Sequence, residues 1–514
     1  MSGGHLAPLK GGALVVGTVA LSLATFMNVL DTSIANVSLP SIAGDLGVSP
    51  EQGTWGITSF GVANAISLPL TGWLSQRYGQ VKLFTASILL FVLASLACGF
   101  APTLELLILF RVIQGAVAGP MIPLSQTLLL SSYPKEKSGI ALAMWSITTL
   151  VAPVIGPLLG GWLTDNVSWP WIFYINAPVG LVAAAATWTI YHRRETPTHR
   201  LPIDKVGLGL LVLWVGALQV MLDKGKDLDW FHSVQIVALA VAAALGLALF
   251  VVWELTDDHP LVDLRLFGRR NFAMGTAALS LGYGAFFGNV VLLPLWLQEW
   301  MGYTATLAGE VMAPVGLFAI LLSPWVGKNV GHIDPRRMAT FAFVGFAFVF
   351  WLRSRFNTQA PFDTILLPTY LQGIAMAFFF IPLQTIIFSG LRPDQLPAAS
   401  GLSNFVRITA GSIGTSLFTT LWSNRAALHH AQIAATVDPG NTAALQTLRQ
   451  LGARGLDTEQ SRALVNRLVD QQAYTMGVTD MFYVSAALFL AMVVLVWLTR
   501  PRRGVASDVP GGAH

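Results

Sequence analysis

The sequence predicts an all-α polytopic membrane protein in which fourteen transmembrane helices form two six-helix halves and a central helical pair. Apolar windows of membrane-spanning length recur along the chain, and positive charge collects in the connections on one side. Apolar residues make up 54% of the 514 residues and charged residues only 11%, whereas a soluble domain carries roughly 25% charged residues. Because so few charges cannot cover a water-exposed globule, most of the outer surface is expected to face lipid.

Fourteen apolar windows have the length needed to cross a membrane, since about 20 helical residues span a hydrocarbon layer of ~30 Å. They centre near residues 24, 63, 92, 115, 150, 181, 214, 244, 284, 316, 348, 376, 411 and 489. The first follows Lys10 and exceeds the ~7–15 residues of a secretory h-region, so we expect a retained helix. An even number of spans places both termini on one side.

The positions of Lys and Arg predict which side this is. With a cytoplasmic N-terminus, the inner segments hold about 19 of the 30 basic residues, and the short outer loops hold about four, namely Lys224, Lys226, Arg353 and Arg355. Because positive charge is retained on the cytoplasmic side, both termini are predicted to be cytoplasmic. The basic residues form short scattered clusters and no stripe, which argues against nucleic acid as a partner.

The spacing of the spans predicts three parts. Residues 1–204 are expected to form the N-terminal six-helix half, residues 205–255 an inserted two-helix linker, and residues 256–514 the C-terminal six-helix half. A weak internal repeat supports this division, because the turns Gly72–Phe84 and Gly327–Phe341 combine glycines with basic residues at corresponding places.

One long outer loop, at about 423–478, has the composition of a soluble segment. Its stretch Thr458–Ala473 is predicted to form an amphipathic helix, with Leu464 and Leu468 on the apolar face. Two roles remain open for a loop of this length: a water-facing cap, or a docking surface for another protein.

Three ionisable residues, Asp31, Arg111 and Arg407, fall inside predicted spans, where a charge costs at least ~2.5 kcal/mol on insertion scales. Asp31 can exchange a proton when its surroundings change, or it can be one half of a structural ion pair. Arginine does not deprotonate in practice, so Arg111 and Arg407 can only pair with an acid or hold another negative charge. Glu310, near the start of the tenth span, is a further candidate for titration or an interface residue.

Aromatic and amide side chains inside the spans are candidates for substrate binding, with core packing as the alternative for each. These residues are Asn28, Asn64, Trp145, Tyr283, Asn289, Gln372 and Phe379. A wide apolar cavity with scattered hydrogen-bonding groups suits hydrophobic or amphiphilic compounds. The sequence contains no metal-spaced His/Cys cluster, no P-loop and no nucleophile elbow, so we expect neither an enzyme nor a cofactor. Uphill work would then draw on an ion gradient.

Five motifs occur in a characteristic order: "SLATFMNVLDTSIANV", "QGTWGITSFGVANAISLPLTGWL", "FRVIQGAVAGPMIPLSQ", "VAPVIGPLLGGW" and "SNFVRITAGSIGTS". Together they resemble the fourteen-helix drug:proton antiporter branch of the major facilitator superfamily, and within it the EmrB-type multidrug efflux pumps. The resemblance covers nearly the whole chain and implies the major facilitator fold.

The resemblance also implies roles for individual residues. Asp31 matches the acid of the first-helix motif, and Arg111 matches the fourth-helix basic residue associated with proton transfer. The residues that match conformational motifs are Gly72, Arg77, Gly79, Pro153, Gly156, Pro157, Gly160 and Gly161. Gly72, Arg77 and Gly79 belong to the superfamily's signature turn between the second and third spans. Gln76 stands where this signature turn usually has an aspartate, which puts the usual charge relay of the turn in doubt.

The implied function is proton-coupled antiport by alternating access, which exports hydrophobic or amphiphilic drugs across the inner membrane of a Gram-negative bacterium. The proton gradient is the implied energy source, and an EmrA-like periplasmic adaptor and a TolC-like outer-membrane channel are the implied partners. Two alternatives are an importer of the same fold and a non-transporting membrane scaffold for an adaptor protein.

Overall fold

The computed structural model describes residues 8–199, 202–258, 260–435, 446, 449–451, 453 and 457–501. Within these ranges the regular structure is helical, without a β-strand. The α-helices are α1 Gly11–Asp45, α2 Pro50–Gly53, α3 Trp55–Ser67, α4 Thr71–Tyr78, α5 Gln80–Gly99, α6 Leu104–Ala118, α7 Met121–Ser132, α8 Ser138–Asn166, α9 Trp171–Tyr174, α10 Asn176–Tyr191, α11 Lys205–Lys224, α12 Val234–Thr256, α13 Arg270–Glu299, α14 Ala305–Asn329, α15 Pro335–Arg353, α16 Phe362–Ala377, α17 Phe380–Phe388, α18 Leu396–Ala434 and α19 Thr458–Trp497.

The helices coincide with the predicted spans, because each of the fourteen predicted centres lies inside a helix. Ten helical segments of the described residues are long and apolar enough to cross a membrane. Three spans are interrupted, between α3 and α4, α6 and α7, and α16 and α17. Pro69 and Pro120 lie at the first two breaks and Pro382 just after the third, where a missing backbone N–H interrupts the helical hydrogen bonds.

The N-terminal half packs around α1, which contacts α8 and α10. Gly156 and Gly160 of α8 lie directly against Ser33 and Ile34 of α1, so these small residues permit close approach of the two helices. Gly161 is only half-buried at the end of the same segment. The side chains of Pro153 and Pro157 lie outside the described part of the structure.

The C-terminal half packs around α13, α15, α18 and α19. Its core is rich in stacked phenylalanines; the rings of Phe346 and Phe489, for example, have centroids 4.9 Å apart. The linker helix α11 contacts both halves at its outer end. Thr58 of α3 donates to Asp223 at 2.8 Å, and Ser416 of α18 donates to the carbonyl oxygen of Leu222 at 2.9 Å.

Small residues bring the two halves into direct contact at one end of the bundle. Gly139 of α8 lies against the backbone of Gly327 of α14, where an added Cβ would overlap the carbonyl oxygen. On the other side of the interface, a Cβ on Gly72 would lie 2.6 Å from the Cβ of Ala398 of α18. A buried apolar cluster that includes Leu142 and Val326 fills the same end. This end is therefore closed, and the predicted orientation places it in the cytoplasm.

At the opposite end, α18 and α19 continue beyond the predicted membrane spans. Asp480 of α19 accepts hydrogen bonds from Arg425 Nη2 at 2.6 Å and His429 Nε2 at 2.8 Å, which tie the two extensions together. The predicted amphipathic helix forms the first part of the continuous helix α19. Its Leu464 and Leu468 are 37% and 50% exposed. Most of residues 436–456 lies outside the described part of the chain.

The contact between Gly139 and Gly327 generates a test of the closed end. Gly139→Val has no room for its side chain, so we expect the halves to separate there more often. The measurement is labelling of a Ser400→Cys reporter, a buried position, by an impermeant maleimide applied from the cytoplasmic side, in a background with Cys98, the single native cysteine, changed to Ala.

Gly209→Val is the matched control, because a Cβ on Gly209 meets no atom within 4 Å. We expect labelling to rise several-fold in Gly139→Val and to stay unchanged in the control. Equal labelling of both variants would show that the glycine contact does not hold this end closed.

Candidate functional site

Asp31 lies on α1 in the interior of the N-terminal half and is 2% exposed. Its Oδ2 accepts a hydrogen bond from Arg111 Nη1 at 2.5 Å. Its Oδ1 accepts from Gln114 Nε2 at 3.0 Å and from Asn176 Nδ2 at 2.9 Å. The sequence left the partner of Asp31 open; the structure pairs it with Arg111, while Arg407 lies elsewhere.

The guanidinium of Arg111 is also held by the neighbouring helix α3 and by a residue of its own helix, α6. Its Nε donates to the carbonyl oxygen of Gly56 at 3.0 Å, and its Nη1 also donates to Gln114 Oε1 at 2.8 Å. The guanidinium carbon lies 4.2 Å from the ring centroid of Phe60 on α3. Gly115 allows this approach, because a Cβ there would collide with the backbone of Phe60.

Two residues of this site were not singled out from the sequence. Asn176 begins α10 and bonds both Asp31 and Ser95 Oγ, the latter at 2.9 Å, while Ser95 donates to the carbonyl oxygen of Phe173 at 2.9 Å. An amide in an otherwise apolar span was the signal available for Asn176. All three side chains bonded to Asp31 donate hydrogen bonds to its carboxylate oxygens. Protonation of Asp31 removes the charge that balances Arg111.

A second polar group lies between the two halves. Arg407 of α18 is buried, and its Nη2 donates to Asn404 Oδ1 at 2.8 Å. Its guanidinium carbon lies 4.6 Å from the ring centroid of Tyr283, 5.5 Å from Phe380 and 5.9 Å from Trp145. Its Nε has no hydrogen-bond partner, and no acid of the described residues forms a salt bridge with it. Trp145 belongs to the N-terminal half, so residues of both halves form this group of aromatic side chains around Arg407.

Hydrogen bonds cross the interface beside this group. Gln126 Oε1 of α7 accepts from Ser400 Oγ at 2.5 Å and from Asn404 Nδ2 at 3.4 Å. Gln126 was not singled out from the sequence either. Asn28, which was, lies on α1 three residues before Asp31 and donates to the carbonyl oxygen of Ala118 at 3.1 Å. Hence α1 contacts the α6–α7 span on the side of Asn28 as well.

The other predicted site residues do not join these two groups. Asn64 is half-buried on α3, with no partner for its Oδ1. Asn289 donates to Ser485 of α19 at 2.7 Å inside the C-terminal half, and Phe379 lies in the phenylalanine core. Gln372 bonds a buried arginine at the end of α15, and Glu310 is exposed on α14. Their roles in transport stay predictions.

The signature turn connects α4 and α5 through Gly79, whose φ of +89° favours glycine. The guanidinium of Arg77 lies 5.3 Å from the ring centroid of Trp73 and 5.8 Å from that of Tyr78. The backbone oxygen of Gln76 accepts from the backbone N–H of His199 at 2.8 Å. This turn is therefore fastened to the segment that follows α10.

Comparison with known protein families identifies the class of this protein. The sequence model of the Major Facilitator Superfamily matches residues 21–415, and the chain belongs to this family. The major facilitator fold that the resemblance implied is thereby confirmed.

The individual relatives narrow this class. The chain is 51% identical over 508 residues to the multidrug export protein EmrB of Escherichia coli strain K12, with 99% of each chain covered. It is 47% identical over 494 residues to the fatty acid resistance protein FarB of Neisseria gonorrhoeae, covering 96% of this chain and 97% of the relative. The resemblance to EmrB-type proteins is thus confirmed.

Solved structures agree at the level of the fold. The human organic anion transporter MFSD10 superposes with a TM-score of 0.60 at 13% identity, covering 95% of this chain and 100% of that one. A double tryptophan mutant of XylE superposes with a TM-score of 0.55 at 17% identity, covering 95% and 99%.

The buried pair of Asp31 and Arg111 predicts a strong dependence of stability on both partners. Asp31→Asn leaves a buried guanidinium without its counter-charge and is expected to cost about 3–5 kcal/mol. Adding Arg111→Gln removes that charge as well, so the double variant is expected to lose less than the sum of the single variants. Unfolding of purified protein in detergent measures this double-mutant cycle.

The control cycle is Asp394→Asn with Arg392→Gln, a pair joined at 2.9 Å whose side chains are 66% and 70% exposed. Its coupling is expected to be below about 1 kcal/mol, since water screens exposed pairs. Additive losses at Asp31 and Arg111 would contradict the buried pair.

Proposed function

We propose that this chain is a proton-coupled antiporter that exports hydrophobic or amphiphilic drugs across the bacterial inner membrane by alternating access. The observation that carries the proposal is its 51% identity, over 99% of both chains, to a protein named for multidrug export. The buried acid on α1 supplies a group for the coupling step.

In the proposed cycle, Asp31 is the proton site. In this conformation the carboxylate is closed to water and neutralised by Arg111, so proton exchange takes place in another conformation of the cycle. Protonation weakens the bond between α1 and α6, because it removes one of the two opposite charges. Since α1 also packs on α8, which contacts α14 and α17 of the C-terminal half, this change reaches the interface between the halves.

The energy available is sufficient for drug export. Each charge that moves down 100 mV releases ~2.3 kcal/mol, and each pH unit adds ~1.4 kcal/mol. Because a tenfold gradient of a neutral compound costs ~1.4 kcal/mol, one proton per molecule sustains a gradient well above tenfold.

The proposed substrate region surrounds Arg407. Trp145, Tyr283 and Phe380 supply aromatic surface for an apolar body, and Arg407 and Asn404 supply polar groups. Because these side chains come from both halves, the region is complete only while the halves are together, as an alternating-access site requires.

The proposed partners are an EmrA-like periplasmic adaptor and a TolC-like outer-membrane channel, with both termini of this chain in the cytoplasm. The extensions of α18 and α19 would face the periplasm in this orientation. The exposed Leu464 and Leu468 offer an apolar face there for the adaptor.

A counterflow experiment in proteoliposomes tests the proposed function. With a pH gradient imposed, we expect a hydrophobic fluorescent dye and protons to move in opposite directions. Asp31→Asn is expected to abolish the exchange, while Asp394→Asn, at an exposed acid, is expected to leave it intact. Movement of dye and protons in the same direction would identify an importer, and proton-driven export by Asp31→Asn would remove Asp31 from the mechanism.

The substrate region predicts a second phenotype. Trp145→Phe keeps an aromatic ring in the buried position but reduces its surface and removes the indole N–H, which has no partner in this conformation. We expect the half-saturating dye concentration to rise several-fold, with the maximal exchange rate largely retained. Trp162→Phe changes an exposed tryptophan of the same helix, α8, and is expected to change neither quantity. Identical half-saturation in both variants would exclude Trp145 from the substrate region.

A further inference from the structure

A buried arginine in the C-terminal half forms no salt bridge with any acid of the described residues. The charge pattern assigned Arg353 to an outer loop, but this assignment was wrong, because Arg353 is the last residue of α15 and is 1% exposed. Its side chain lies inside the half, where the guanidinium carbon is 5.6 Å from the ring centroid of Phe350 and 6.0 Å from that of Phe482. Position in the sequence did not reveal this burial.

The polar contacts of Arg353 leave its charge unbalanced. Its Nη2 donates to Thr369 Oγ1 at 3.1 Å and to Gln372 Oε1 at 2.6 Å. Two buried donors beside this contact, Arg353 Nε and Gln372 Nε2, have no partner. Among the described residues, no acid forms a salt bridge with Arg353. A buried cation without a neighbouring negative charge is costly, and so is each unpaired buried donor.

The N-terminal half contains a related arrangement that is complete, although Arg111 comes from the same helix as its glutamine and Arg353 from a neighbouring helix. Gln114 lies ten residues after the first residue of α6, and Gln372 lies ten residues after the first residue of α16. Each glutamine is followed by a glycine, and each accepts a hydrogen bond on Oε1 from a buried arginine, at 2.8 Å from Arg111 and 2.6 Å from Arg353.

The two arrangements differ in what the glutamine amide meets. Gln114 Nε2 donates to the carboxylate of Asp31, which also neutralises Arg111. Gln372 Nε2 meets no acceptor among the residues that the structure describes. The C-terminal arrangement therefore has the cation and the amide donor but lacks the anion that completes its counterpart.

We propose that the C-terminal half binds a small monovalent anion, of the chemistry of chloride or a short carboxylate, between Arg353 and Gln372. The anion takes the place that the Asp31 carboxylate has in the N-terminal half. Arg353 supplies the positive charge and its free Nε–H, and Gln372 supplies its amide N–H. Thr369 accepts from Arg353 through its oxygen, so its own hydroxyl hydrogen is available as a further donor.

The site gives the protein a stability that depends on the anion in solution. A ligand that binds the folded state alone raises the unfolding temperature with the logarithm of its concentration above the dissociation constant. This dependence is separate from transport and from the proposed antiport cycle, so it can be measured on the full-length protein without a substrate.

The test is thermal unfolding of the purified full-length protein in detergent, at constant ionic strength, while sodium chloride replaces sodium gluconate. Gluconate serves as the reference because it is much larger than chloride. We expect the unfolding temperature to rise with chloride and, above the dissociation constant, to continue rising with the logarithm of the chloride concentration. A parallel series with sodium acetate shows whether the site prefers chloride or a short carboxylate. Stabilisation by either salt supports the site.

Two variants assign the effect to this position. Arg353→Gln is expected to lose the dependence on the anion, whereas Arg355→Gln, two residues away and exposed, is expected to keep it. Gln372→Glu places a carboxylate beside Arg353, so this variant is expected to remain folded in gluconate and to lose the dependence as well.

The proposal is overturned if the wild-type protein unfolds at the same temperature in chloride, acetate and gluconate. It is equally overturned if Gln372→Glu keeps the full anion dependence of the wild type. The second criterion holds even where Arg353→Gln does not fold.

Discussion

The bond between Asp31 and Arg111 is the constraint around which the N-terminal half is built. Both charges are removed from water, and neither is tolerable there without the other. To bring them together, α1, α3, α6 and α10 must lie at fixed distances, since Gly56 holds one side of the guanidinium and Asn176 holds one oxygen of the carboxylate. Separating this ion pair inside the protein costs free energy. Neutralising one of its members therefore changes which helix positions are favourable, as a transition between two conformations requires.

The two halves satisfy this constraint differently. The N-terminal half contains its own carboxylate and closes its polar network with side chains, while the C-terminal half presents buried guanidinium groups at Arg353 and Arg407 without an acid bonded to either among the described residues. Between the halves, small residues at one end permit direct backbone contact, as at Gly139 and Gly327. The halves are thus in direct backbone contact at this end.

Hydropathy was sufficient to predict the helices but not the polar contacts between them. Membrane spans are set by length and apolar content, which are properties of a local window, so every predicted centre lies in a helix. The choice of Arg111 over Arg407 as the partner of Asp31 depends on how distant helices pack, and no local window contains that information. Arg353 shows the same limit, because counting charges near a helix end does not tell whether the side chain extends to water or folds inward. Gln126 and Asn176 were overlooked because an isolated amide is common in helices, and its importance depends on the partner across the interface.

The length of the last two helices has a mechanical consequence. Helices α18 and α19 comprise 39 and 40 residues, and at 1.5 Å per residue each is roughly 60 Å long. Each is one continuous rod that begins or ends at the closed end of the bundle and extends past its predicted membrane span. Arg425 and His429, beyond the centre of α18, join it to Asp480 near the middle of α19. Such a coupled pair acts as a lever arm: a small tilt of the buried portion becomes a larger sideways displacement at the tip. A protein bound at the tip would therefore be displaced when the bundle changes conformation, without contacting the translocation path.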